Sequence, residues 1–112
     1  MSEPKTWYDA RQHCIDVGAR LMEVRSQESY DQALQIEEEI GKFWLGGSDI
    51  QQEGVWIWES NGEQINRDQF WSTNEPNGGT DQNCLFFELP SDSVGLASGR
   101  CQNARGYACE FN

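Results

Sequence analysis

The sequence predicts an α+β domain, with two helices flanking antiparallel sheets, a long loop region and disulfide support. Three observations predict it. Apolar residues recur at three- and four-residue spacing in two segments before Gly41. After Gly41 the chain turns to short aromatic and aliphatic runs separated by Gly, Asn, Asp and Pro, the pattern of strands and loops. The four cysteines, Cys14, Cys84, Cys101 and Cys109, are even in number, and none has the C-x-x-C spacing of a zinc knuckle or a thioredoxin-like motif, so disulfides are expected.

The first helix is expected from Thr6 to Val17. Thr6 is the N-cap, Trp7, Ala10, Cys14 and Val17 share one face, and Gly18 closes it. The second runs from about Gln27 to Ile40, capped by Ser26. Tyr30, Ala33, Leu34 and Ile40 are expected to point inward, Glu37 to Glu39 outward, and Gly41 stops it. Strands are expected at Phe43-Trp44-Leu45-Gly46, Val55-Trp56-Ile57-Trp58, Cys84 to Leu89 and Gly106 to Phe111. Between Ser60 and Asn83 lies a long stretch with few aliphatic residues that carries Phe70, Trp71 and Glu75-Pro76-Asn77. Loops of that length inside a compact domain are uncommon and usually functional or disordered, and the embedded aromatics favour an ordered one.

The 112 residues read as one domain, 1–112, long enough for a core and small enough to benefit from covalent support. Acidic residues outnumber basic ones by 19 to 8, for a net charge of -11. That charge argues against a nucleic-acid or anionic-membrane partner and makes cation binding easier, although an acidic surface also serves solubility alone. Disulfides imply an oxidising compartment, so a secreted or extracellular location is expected, with no membrane insertion. Glu75 and Asn77 offer hard oxygen ligands suited to Ca²⁺, and a proline between them can turn both side chains toward one point. Such triplets also occur in surface turns, and the three residues leave both readings open. An enzyme is not indicated: there is no nucleophile with a base, no phosphate loop and no cofactor motif. His13, the only histidine, reads as a surface residue.

In order, the motifs Lys5-Thr6-Trp7-Tyr8-Asp9-Ala10-Arg11 with Cys14, Gly18-Ala19-Arg20-Leu21, Ser26-Gln27-Glu28, Trp44-Leu45-Gly46-Gly47, Glu53-Gly54-Val55-Trp56-Ile57-Trp58, Asn61-Gly62, Phe70-Trp71, Asn74-Glu75-Pro76-Asn77 and the three later cysteines resemble the C-type lectin-like domain family over nearly the whole chain. The resemblance implies the C-type lectin-like fold, with disulfides Cys14 to Cys109 and Cys84 to Cys101, and Trp44, Trp56 and Trp58 in the core. Trp71 is read as packing rather than as a platform for a sugar face. A further strand is expected ahead of the first helix. The sequence begins almost at that helix, so an open edge is expected around Phe111.

The resemblance also implies a function. Glu75 and Asn77 would ligate Ca²⁺ and hydrogen-bond vicinal sugar hydroxyls, Glu75 accepting and Asn77 donating, which fits mannose, glucose and fucose-type sugars. Gln82 stands where a further acidic ligand is expected, and Leu96-Ala97-Ser98-Gly99-Arg100 stand where the family carries Trp-Asn-Asp. Asp81 and Asp92 are the neighbouring carboxylates able to complete the shell. A second cation position would use Asp49 and Glu53 with Gly78, Gln82 and Asn83. The implied cofactor is Ca²⁺, and the partner is a carbohydrate or glycoprotein, with oligomerisation raising weak single-site affinity. The alternative is a lectin-like domain that has lost calcium and sugar binding and recognises a protein, mineral or other surface.

Overall fold

A computed structural model describes residues 3–65, 71, 82–88 and 95–111. Helix α1 spans Trp7–Asp16 and helix α2 Gln27–Ile40. Seven short strands accompany them: β1 Arg20–Leu21, β2 Phe43–Ser48, β3 Ile57–Trp58, β4 Cys84–Glu88, β5 Gly95–Gly99, β6 Gly106–Tyr107 and β7 Cys109–Glu110. The main sheet runs β3-β2-β4-β5 in antiparallel order, with β6 added parallel to β2. A smaller sheet pairs β1 with β7, Arg20 opposite Glu110 and Leu21 opposite Cys109.

Both helices start where their caps direct. The Thr6 hydroxyl accepts the Asp9 N–H at 3.2 Å. Ser26 and Ser29 form a reciprocal capping box. Each helix then covers one face of the main sheet. Alternation along β2 and β4 sends Phe43, Leu45, Leu85 and Phe87 into a core with Ala33, Tyr30, Leu34 and Ile36 of α2. The intervening Trp44, Cys84 and Phe86 join Trp7, Ala10 and Cys14 of α1 in a second core. Two inward assignments on the helices fail. Val17 is 51% exposed and Ile40 is 36% exposed, because both sit at helix ends where the chain turns away, and Ile36 packs in place of Ile40.

The indoles serve the core. Trp44, Trp56 and Trp58 are buried, and Trp7 Nε1 donates to the Leu45 carbonyl at 2.9 Å while Trp44 Nε1 donates to that of Lys5 at 2.9 Å. Trp71 packs against the α2-side core, edge-on to Trp56 with ring centres 5.7 Å apart. The disulfides join Cys14 to Cys109 and Cys84 to Cys101, with Cα atoms 5.4 and 5.2 Å apart. On the chain-entropy view they constrain the unfolded state by about 3 kcal/mol for the short loop and just under 5 for the long one.

Strand boundaries differ from the expected ones in several places. The strand expected from Val55 shrinks to Ile57–Trp58, and the one expected from Gly106 to Phe111 divides at Ala108 into β6 and β7, which belong to different sheets. Phe111 is 77% exposed beyond β7. Strands β1 and β5 carry no sequence signal of their own. The small residues of Gly-Leu-Ala-Ser-Gly are buried in β5 because β4 pairs along its whole length.

In β2, Gly46 and Gly47 are imposed by close approach. A Cβ at Gly46 would come within 2.9 Å of the Leu21 backbone carbonyl oxygen, whereas at Gly47 it would meet the movable side-chain ends of Leu85 and Ile65 at 2.7 and 2.9 Å. Gly46→Ala should therefore destabilise the disulfide-intact protein by about 1–3 kcal/mol, and by more than Gly47→Ala. Urea denaturation of both variants measures this, and a larger loss in Gly47→Ala would contradict the packing described.

Candidate functional site

The end of β2 passes directly into Asp49, the only acidic residue besides Glu23 that is buried among the described residues. Its backbone N–H donates to the Asn83 carbonyl at 3.1 Å, which fixes it beside the start of β4. Its side chain turns back on the next turn, where Oδ2 accepts the Gly54 N–H at 2.9 Å. Oδ1 is buried and accepts no hydrogen bond. A carboxylate oxygen in that state is costly, because it has lost water without gaining a donor.

Glu53 stands immediately before Gly54 in the same turn. Its carboxyl is held above the ordinary carboxylate range by desolvation, by the charge of Asp49 and by a hydrogen bond with Asp49. Glu53 is solvent-exposed, so the charge of Asp49 is the more durable cause. A carboxyl whose charged form is disfavoured by a neighbouring carboxylate, which itself has an orphaned buried oxygen, forms an arrangement a divalent cation relieves. The residues present therefore fit Ca²⁺ as donors, although the described residues contain no group of three or more acidic, His or Cys side chains around one point.

Gln82 lies on the other side of Asn83. Its Oε1 accepts the Ser98 hydroxyl at 3.2 Å, linking the start of β4 to β5. Ser98 belongs to the Leu96–Arg100 segment, which forms most of β5 and pairs with β4. The disulfide Cys84–Cys101 closes the base of the connection between those strands. Glu75, Asn77, Asp81 and Asp92, the remaining expected ligands, lie outside the described residues, as does Gly78. The structure thus brings Asp49, Glu53 and the Gln82-Asn83 pair to one end of β2.

Sequence reading passed over the polar cluster at Glu23. This buried carboxylate accepts Arg25 Nε at 2.8 Å and the Ser60 N–H and hydroxyl at 3.2 and 3.0 Å, with Arg20 Nη1 at 3.8 Å. Arg25 also pairs with Glu63, whose carboxyl is held below its ordinary value by that contact. Nearby, a half-open pocket of about 400 Å³ is lined by Arg11, Ile15, Leu21, Glu23 and Glu59 among others, and Asp49, Glu53 and Gln82, the expected ligands among the described residues, do not line it. The signal for the Glu23 cluster was only a charged residue inside Leu-Met-Glu-Val, a run otherwise apolar.

Comparison with known proteins places these features in context. The family described as "Lectin C-type domain" matches residues 3–111. CD209 antigen-like protein A of Mus musculus is 27% identical over 95% of this chain, which covers 43% of that protein. C-type lectin domain family 4 member M of Symphalangus syndactylus is 30% identical over 95% of this chain and 25% of its own length. The chain thus spans less than half the length of these relatives. Among solved structures, the cow C-type carbohydrate-recognition domain of CD23, determined in the presence of a GlcNAc2Man3 oligosaccharide, superposes with a TM-score of 0.79 at 27% identity, covering 97% of this chain and 82% of that one.

The raised Glu53 pKa has a defined sign. Stabilisation from the protonated form is fully present below the unfolded-state value and is lost as pH rises through the higher folded-state value. In chelator, the wild type should lose stability relative to Glu53→Gln as pH rises from the ordinary glutamate value of about 4.3 through the higher folded-state value. Parallel melting curves for the two proteins over that range would show that Asp49 does not act on Glu53.

Proposed function

The chain belongs to the family of C-type lectin domains, which are carbohydrate-binding modules and not enzymes, and from that premise we propose that it binds mannose, glucose or fucose-type sugars in a calcium-dependent way. The observation that carries the calcium requirement is the buried, unsatisfied Oδ1 of Asp49 beside the raised carboxyl of Glu53. These two residues would hold one cation, with Asn83 and Gln82 adjacent to it. Glu75 and Asn77 would hold the sugar-linked cation, with Gln82, Asp81 and Asp92 as further oxygen donors. Bound there, Ca²⁺ supplies a Lewis-acidic centre that accepts two vicinal sugar hydroxyls.

The protein's own contribution is hydrogen-bond direction. Glu75 accepts from one hydroxyl, Asn77 donates to the other, and no bond of the sugar is broken. A secreted or extracellular setting, in which disulfides persist and Ca²⁺ is plentiful, suits this reading. Among the described residues no helix is long and apolar enough to cross a membrane. Several copies held together would raise the weak affinity expected of a single site.

A second reading has its own support. The Gln82 carbonyl oxygen already accepts from Ser98, and a strand of small residues stands where two further ligands are expected. On this reading the fold is kept, calcium and sugar binding are lost, and the partner is a protein, mineral or other surface.

Thermal melting separates the two. With the disulfides intact, millimolar Ca²⁺ should raise the melting temperature over EDTA and a mannoside should raise it again, because each ligand binds only the folded chain. Asn77→Asp should remove the mannoside increment, and Asp49→Asn should reduce the calcium increment. Identical melting in all conditions would discard the calcium-lectin reading in favour of the second.

A further inference from the structure

Among the described residues, the Lys and Arg side chains of this acidic chain fall into two groups. Arg11, Arg20 and Arg25 each lie near a carboxylate, at 3.7, 2.9 and 2.8 Å. Lys5, Lys42, Arg100 and Arg105 make no ion pair among the described residues. Three of them, Lys5, Lys42 and Arg105, meet around Phe86 and Trp44. The Arg105 guanidinium carbon stands 4.0 Å from the ring centre of Phe86 and 5.0 Å from that of Trp44, and Lys42 Nζ lies 6.0 Å from the same Phe86 ring. Lys5 and Arg105 exchange backbone hydrogen bonds at 2.9 and 3.0 Å.

Arg105 is the unusual member. Its Nε is buried and without an acceptor, and no described residue accepts from the rest of its guanidinium. Burial pulls its pKa down, and the charge of Glu88 works the other way. The two aromatic faces attract the cation but leave its planar fork of N–H donors unused. A partly desolvated guanidinium is ordinarily matched to a carboxylate, sulfate or phosphate, whose oxygens fit that fork.

We propose that Arg105, with Lys42 on the same Phe86 ring and Lys5 paired to it through the backbone, is a binding site for an oxyanion substituent on a saccharide, either a sulfate ester or a uronate carboxylate. The choice of saccharide rests on the carbohydrate-binding reading above; the oxyanion follows from the unused donors. The site is separate from the calcium position. Trp44 and Asp49 lie five positions apart along and just past β2, or about 17 Å at extended-strand rise, so the two sites occupy opposite ends of one strand. The net charge of -11 sets the length of the ligand. A long polyanion running past the cluster would lie against the acidic surface, within the screening length of about 8 Å, and be repelled by it, so a short, sparsely charged sugar fits better than a long polymer.

The test is calorimetric titration of the disulfide-intact protein in EDTA with a monosulfated disaccharide, a uronate disaccharide, their neutral parent and inorganic sulfate. At least one charged sugar should bind about ten-fold or more tightly than the neutral parent and weaken as salt rises. Lys42→Gln should weaken binding by about two- to five-fold, the scale of one exposed charge. Arg105→Lys, which keeps the charge but not the fork, should melt cooperatively and lose more affinity than Lys42→Gln. Equal binding of the neutral parent, unchanged affinity in Lys42→Gln, or inorganic sulfate binding as tightly as the sulfated sugar overturns the proposal. A parallel titration with a neutral mannoside and Ca²⁺ keeps the two readings apart. Loss of that binding alone removes the calcium reading, and loss of the EDTA-resistant binding alone removes the oxyanion site.

Discussion

Burial of β2 and β4 on both faces is the constraint from which the other features of the domain follow. A sheet covered on one side would alternate apolar with polar residues, but here Phe43, Trp44, Leu45, Leu85, Phe86 and Phe87 run consecutively because α2 covers one face and α1 the other. Each such side chain contributes roughly 1.5–3 kcal/mol on full burial, against about 0–1 for an exposed ion pair, so packing rather than surface charge decides stability. The approach of β2 to Leu21 then requires glycine at position 46, and the tight centre carries two indoles whose N–H groups reach backbone carbonyls. Cys14–Cys109 and Cys84–Cys101 fasten α1 and β5 to this arrangement from opposite ends of the chain.

That rigid centre also determines where polar chemistry can occur. Asp49 is buried because it leaves β2 before the chain has reached solvent, and the bond from its N–H to Asn83 ties it to the start of β4. The local cost of an orphaned carboxylate oxygen is sustained by the surrounding core, a pattern typical of functional sites rather than of packing. Glu23 is also buried and carboxylic, yet Arg25, Arg20 and Ser60 satisfy it, so it reads as a structural tie between β1 and the turn after β3. Burial alone does not separate the two acids; the state of their hydrogen bonds does.

Charge follows the same division. The arginines that meet carboxylates stitch β1, β7 and the turn after β3 together, while the cations on the Phe86 and Trp44 face are left to aromatic rings. A net charge of -11 conceals this local reversal. Screening within about 8 Å allows a positive neighbourhood to persist on an acidic molecule.

Much of the architecture was legible in the residues. Thr6 and Ser26 announced both helices through their caps, Trp44-Leu45-Gly46-Gly47 announced the central strand, and the order of motifs announced the family and the disulfide pairing, because these signals depend on local geometry and on residue types with few alternatives. Strands β1 and β5 were not legible, since Arg20–Leu21 and Gly95–Gly99 become strands only through their partners β7 and β4. Asp49 and Glu53 were expected as ligands from sequence, but the unsatisfied oxygen of Asp49 and the raised carboxyl of Glu53 were not visible there. The gathering of Lys42 and Arg105 on one ring was equally invisible. Sequence by itself determined which residues form the helices, the core strands and the cross-links; only the tertiary structure decided which charged groups find partners, because pairing depends on distances between residues far apart in the chain.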